Sequence, residues 1–157
     1  MGKRKTIGLL GALLVAASLL PAEFRPEAVR VVRLDNGLKV LLVEDHAIAN
    51  IAFYTFFRVG SRNERVGLTG VSHFIEHLLF KGTESRSAED IARAIDSVGG
   101  TLDAFTSREN TCFYAKVLDE HLPLAVDLLS DLLLHPRLDP EDVEKERRVV
   151  LEEIKMV

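Results

Sequence analysis

The chain has one cysteine and no tryptophan in 157 residues. A lone thiol cannot close an internal disulfide or found a cysteine-rich metal site, so any metal must be held by histidine and carboxylate side chains. Cys112 lies in the strand-like run TCFYAKV, where a thiol behaves as a small buried hydrophobe. Aromatic residues are also scarce, at 6%, too few for a base-stacking platform. Nor is there an excess of positive charge: 20 Lys and Arg against 24 Asp and Glu leave a formal charge of −4 and a pI near 5.7. Without a basic stripe for a phosphate backbone, the composition argues against nucleic acid as a partner. Low-complexity linkers and internal repeats are missing too. With 47% apolar and 28% charged residues, the chain is long enough for one globular domain with a real core.

Long hydrophobic runs are limited to the first stretch, MGKRKTIGLLGALLVAASLLPAEF. Lys3, Arg4 and Lys5 precede an uncharged apolar run from Ile7 to Leu20, and Pro21 and Ala22 follow it. The run is shorter than the roughly 20 residues needed to span a bilayer and has the outline of a secretory signal. Residues 1–22 are therefore expected to be a signal peptide cleaved near Ala22, with export to the periplasm or cell envelope. The alternative is retention as an anchor, the one route by which this chain would meet a membrane.

From there period-two and period-3.6 patterns alternate. AVRVVRL, LKVLLVE and NIAFYTFFRVG read as strands, and Asp35–Asn36–Gly37 between the first two is a hairpin signal. A loop with Gly60, Ser61, Asn63 and Gly67 leads to a helix ended by Gly82. Ser87 reads as the N-cap of a second helix, AEDIARAIDSV, which stops at Gly99–Gly100. TLDAFTS and NTCFYAKVL read as two more strands. HLPLAVDLLSDLLLH and PEDVEKERRVVLEEIKMV read as helices separated by Pro136 and Pro140. Runs of strands and runs of helices predict an α+β fold, with a layer of helices on a mainly antiparallel or mixed sheet.

The first helix carries the chemistry. In GVSHFIEHLLFKGT, at about 100° per residue, Val71, Phe74, Ile75, Leu78 and Leu79 form an apolar stripe, and His73, Glu76 and His77 fall together on the other face. Histidines four apart project from successive turns toward one point, the spacing by which a helix supplies two ligands to one zinc ion. Glu76 is displaced around the helix from that point and can reach a water there instead. Two ordinary histidines on a solvated face would leave both the spacing and the carboxylate unexplained. A third ligand must come from elsewhere. In the last helix Val143, Val150, Ile154 and Val157 form the apolar stripe, Glu146 and Glu153 lie at its border one heptad apart, Glu152 points away and Glu144 sits on the other flank. Carboxylates along a buried seam are costly unless they meet a cation, so Glu146 or Glu153 is the natural third ligand.

The His73-x-x-Glu76-His77 motif, followed by ERRVVLEEIKM, resembles the inverted-zincin metallopeptidases of the pitrilysin, insulinase and mitochondrial processing peptidase family, and its bacterial processing-protease-like branch most of all. The resemblance runs from about Val32 to the end of the chain and includes LDNGLKV, VGSRNE and GGTLDAFTSRENTCFYAKVL. It implies a two-layer metallohydrolase fold, one Zn²⁺ held by His73, His77 and Glu153, and Glu76 as general base toward a zinc-bound water. It also implies Glu146 as a supporting acidic residue and Leu102, Asp103, Ala104 and Phe105 as a substrate-binding edge strand. The family often has Asn at the position of Asp103. The implied activity is endopeptidase hydrolysis of extended peptides or unfolded protein. Residues 23–157 would then be the N-terminal part of a metallopeptidase domain, completed by a homologous second domain or subunit and inactive alone. Two other readings compete. A catalytically silent member of the fold is disfavoured by the intact motif. An S-ribosylhomocysteine lyase, similar in its HxxEH helix, takes a cysteine as third ligand, and Cys112 follows His77 too closely for that.

Overall fold

The computed structural model describes residues 29–156, which leaves the signal-like segment and Val157 outside the described residues. Two compact units are distinguished, one ending at Ala47 and one beginning at Ile48. In the first, β1 (Val29–Arg33) and β2 (Lys39–Val43) form an antiparallel hairpin with Val29 opposite Val43 and Arg33 opposite Lys39. Asn36 closes its turn by accepting a hydrogen bond at Oδ1 from the backbone N–H of Leu38, 3.1 Å away, the Asx chemistry that Asp-Asn-Gly promises.

The second unit contains β3 (Asn50–Phe57), α1 (Val71–Leu79), α2 (Ala88–Asp96), β4 (Thr101–Thr106), β5 (Thr111–Leu118), α3 (Leu122–Leu134) and α4 (Pro140–Lys155). Its sheet has the order β3-β5-β4, antiparallel throughout, so the α+β reading holds. Alternation decides which side chains form the core. Phe113, Ala115 and Val117 of β5, with Phe53, Leu102 and Ala104 from its neighbours, face Leu79, Ile95, Ala125, Leu128 and Leu129 of the helices. Burying aliphatic and aromatic side chains of this size contributes about 1.5–3 kcal/mol each. Cys112 belongs to the opposite face, paired in register with Phe56 on one side and Phe105 on the other. It is fully buried, and burial pushes its thiol up from the ordinary range.

Ser87 caps α2 as its position predicts. Its hydroxyl oxygen accepts from the Asp90 backbone N–H at 3.1 Å, and Asp90 Oδ2 accepts from the Ser87 backbone N–H at 3.2 Å. The end of α1 differs from expectation: the helix stops at Leu79, three residues before Gly82. The cause is a polar anchor on α3. Asp131 Oδ2 accepts from the Thr83 hydroxyl at 2.7 Å, from Ser85 at 2.9 Å and from Arg86 Nη1 at 2.6 Å. That anchor draws the chain out of the helix, and Gly82 takes a φ of +122°, which a side chain would strain.

Candidate functional site

Residues Gly70 to Ser72 open α1 without a capping side chain of their own, because Gly70 occupies the N-cap in a left-handed conformation. The cap arrives from the preceding loop. Glu64 Oε2 accepts from the Gly70 N–H at 2.7 Å and Oε1 from the Ser72 N–H at 2.9 Å. A carboxylate there satisfies two otherwise orphaned donors and complements the positive end of the helix. The bonds from Ser72 and Gly70 hold the Glu64 carboxyl below its ordinary range. Backbone N–H groups of Ser61 and Arg62 donate to the carbonyls of Ser107 and Arg108, at 3.2 and 2.9 Å, fastening this loop to the β4–β5 turn. The approach requires glycine at position 60, since a Cβ there would lie 2.8 Å from the Arg108 carbonyl carbon. Sequence reasoning assigned Glu64 no role. The available signal was a helix beginning at glycine, with an acidic residue a few positions upstream.

On α1, one face of which lies against β4 and another against α4, the two histidines converge. Their Nε2 atoms are 3.1 Å apart and the rings meet edge to face at 87°. Glu153 Oε2 completes a triangle, 3.6 Å from His73 Nε2 and 3.5 Å from His77 Nε2. Zinc bonds of about 2.0–2.1 Å in a tetrahedron imply ligand separations of about 3.3 Å, so these three atoms have the spacing of one face of such a site. Two imidazole nitrogens and a carboxylate oxygen form a donor set that zinc prefers. All three side chains are half-buried, which keeps one side of the cluster open to solvent.

Glu146, buried at 6% exposure, accepts at Oε2 from His77 Nδ1 at 3.2 Å, while its Oε1 pairs with Lys81 Nζ at 2.7 Å. A carboxylate can only accept, so this contact requires a proton on Nδ1, and Nε2, which faces Glu153 and His73, is the ring nitrogen placed to ligate a metal. Lys81 balances the buried charge; sequence reasoning missed it because its partner is presented by a different helix, α4. Glu76 stands apart from the triangle, and its Oε2 accepts from the hydroxyl of Thr106, the last residue of β4. Leu102, Asp103, Ala104 and Phe105 occupy β4, which among the described residues is paired on one side only. Leu102 and Ala104 face the core, whereas Asp103 Oδ2 accepts from the Tyr114 hydroxyl at 3.0 Å on the opposite face.

Two details of the helix faces are corrected. Ile75 is 46% exposed and Ile154 62% exposed, so neither belongs to the buried stripe of its helix. Ser72, Leu78 and Leu79 are buried in α1, and Glu146 and Val150 in α4. The seam of α4 thus runs through its glutamates instead of beside them, because those carboxylates meet His77, Lys81 and the histidine pair there. Glu152 lies outside the seam, exposed and paired with Lys155 at 2.7 Å.

The α+β fold and a His–His–Glu donor set define the class of a protein built to hold a metal ion, and comparison with known proteins adds the family. The chain belongs to the Insulinase (Peptidase family M16) family, whose model matches residues 39–157. It is 46% identical over 121 residues to a Bacillus subtilis protein named as an uncharacterized zinc protease, covering 77% of this chain and 30% of that one. It is 44% identical over 124 residues to the beta subunit of the mitochondrial-processing peptidase of Saccharomyces cerevisiae, covering 79% and 27%. The crystal structure of a protease from Helicobacter pylori superposes with a TM-score of 0.72 at 31% identity, over 80% of this chain and 30% of that one. The chain therefore spans about 30% of the length of the curated relatives it matches.

Proposed function

We propose that this chain supplies the metal-binding and base-bearing portion of a zinc metalloendopeptidase, with His73, His77 and Glu153 as the ligands of one Zn²⁺ and Glu76 as general base. The observation that carries this is the convergence of His73 Nε2, His77 Nε2 and Glu153 Oε2 into one triangle. Zinc, when bound, supplies Lewis acidity toward a peptide carbonyl and a water. Glu76 uses the carboxylate oxygen that Thr106 leaves free to take a proton from the attacking water and return it to the leaving amine. Glu146 holds the His77 ring and its tautomer. The open side of β4, through Leu102 to Phe105, receives an extended peptide by backbone pairing, a mode that accepts many sequences.

Because the relatives are longer than the stretch they share with this chain, we place efficient hydrolysis in an assembly that adds a homologous second domain or subunit. Export to the periplasm or cell envelope rests on the apolar run from Ile7 to Leu20 and its basic flank. The test is zinc content and cleavage of a quenched peptide by the intact protein beside its Glu76→Gln form. Zinc retained with turnover lost supports the reading, and turnover retained without Glu76 defeats it.

A further inference from the structure

Thr106 closes β4 on the face turned to α1, and its hydroxyl donates to Oε2 of Glu76. That hydroxyl has a single proton to give, and a carboxylate oxygen can only accept it. Thr111, opposite Thr106 in the β4–β5 register, donates its own proton to the Val59 carbonyl at 2.9 Å and lies 3.5 Å from Thr106 Oγ1. Thr111 thus offers Thr106 only an acceptor at the outer limit of hydrogen-bonding range, and the Thr106 proton goes to the much nearer carboxylate of Glu76. The donor is also rigid: a β-branched residue in a paired strand has little χ1 freedom, and the β4–β5 turn just beyond it is tied by Ser107 and Asn110. The acceptor is not rigid by itself, since a glutamate carboxylate hangs on three rotatable bonds and loses that freedom only where a partner holds it.

We propose that Thr106 is a positioning residue for the base, fixing one carboxylate oxygen of Glu76 so that the other is presented to the reacting water. This rests on the reading of Glu76 as the general base. It assigns to the last residue of β4 a role separate from the peptide pairing proposed for Leu102 to Phe105. The hydroxyl touches neither histidine nor Glu153 among the described hydrogen bonds, so its loss leaves the ligand triangle and the sheet register intact. What changes is the fraction of time the base spends in reacting geometry, a quantity to which hydrolysis rates are steeply sensitive.

The experiment compares Thr106→Val, which keeps shape and branching, with Thr106→Ser, which restores the hydroxyl, in the intact protein. Zinc stoichiometry, kcat and KM toward a quenched peptide are measured for each. Thr106→Val is expected to lower kcat about 10- to 100-fold with KM and zinc content unchanged, and Thr106→Ser to stay within about threefold of the parent. In a Glu76→Gln background Thr106→Val is expected to cost nothing further, because it acts through the carboxylate. Parental kcat in Thr106→Val, an equal fall in Thr106→Ser, or loss of zinc alongside kcat would each overturn the proposal. A Glu76→Gln protein that still turns over would instead remove the reading beneath it. An inactive Glu76→Gln beside a fully active Thr106→Val removes the role of Thr106 alone.

Discussion

Glu146 Oε2 lies 3.2 Å from Nδ1 of His77, the ring nitrogen opposite the one that faces Glu153. The carboxylate is almost fully buried, and such a charge persists in a protein only when partners compensate it. Here the partners are His77 and Lys81. Glu146→Gln removes the charge that holds the tautomer, and zinc affinity should fall about 10- to 100-fold, measured by competition with a chromogenic chelator. Parental affinity in the variant would show that the contact is structural.

Glu153 and Glu152 are neighbours in sequence with opposite surroundings. Glu153 faces both histidines, whereas Glu152 is exposed and paired with Lys155. Glu153→Gln is expected to weaken zinc binding by at least about tenfold, while Glu152→Gln stays within about twofold, since an exposed pair contributes little. Isothermal titration of the metal-free protein decides between them. A larger effect at position 152 would contradict the ligand assignment.

Loss of a ligand and loss of the base separate differently. His77→Ala should lose zinc and turnover together, while Glu76→Gln should keep full zinc content and lose about 10²- to 10⁴-fold in kcat. Metal analysis and peptide hydrolysis on the same preparations read both quantities. A His77→Ala protein with full zinc content would show that His77 is dispensable as a ligand.

The Glu64 cap has a pH signature. Its carboxyl is held below the ordinary range when folded, by the N–H groups of Ser72 and Gly70. The unfolded state therefore takes up a proton first as the pH falls. The cap's contribution is complete above the ordinary glutamate range and is lost as pH drops through the folded value. Glu64→Gln should melt below the parent at neutral pH, with the gap narrowing in acid. A gap that widens in acid would reverse the sign and refute the cap.

Asp131 tests the anchor that ends α1. Burial pushes its carboxyl up, but hydrogen bonds from Thr83, Ser85 and Arg86 outweigh that and hold it below the ordinary range. Asp131→Ala leaves the Thr83 hydroxyl and the Arg86 guanidinium without this acceptor, at a cost of about 2–4 kcal/mol, read by urea denaturation. Zinc stoichiometry under native conditions should be unchanged, because the anchor is separate from the histidine pair. Zinc loss in folded Asp131→Ala would show that the segment after α1 shapes the metal site.

The amino-acid sequence by itself determined the elements and the identity of the motif. Alternation marked β3, β4 and β5, Asp-Asn-Gly marked the hairpin, Ser87 marked the start of α2, and the four-residue spacing of His73 and His77 put two imidazoles on one helix face. These are local properties, set by backbone period and by chemistry within a turn or two. Tertiary structure decided what those faces meet. Helical periodicity left Glu146 and Glu153 as equals at the border of a stripe, and the packing of α4 against α1 brought Glu153 to both Nε2 atoms and Glu146 to Nδ1. It also withdrew Ile75 and Ile154 from the buried stripes. Glu64, Lys81 and Thr106 were beyond local reading for the same reason. Each acts on a group presented by a different segment, the start of α1, a carboxylate of α4 and the Glu76 side chain, and only the folded chain brings such groups within hydrogen-bonding distance.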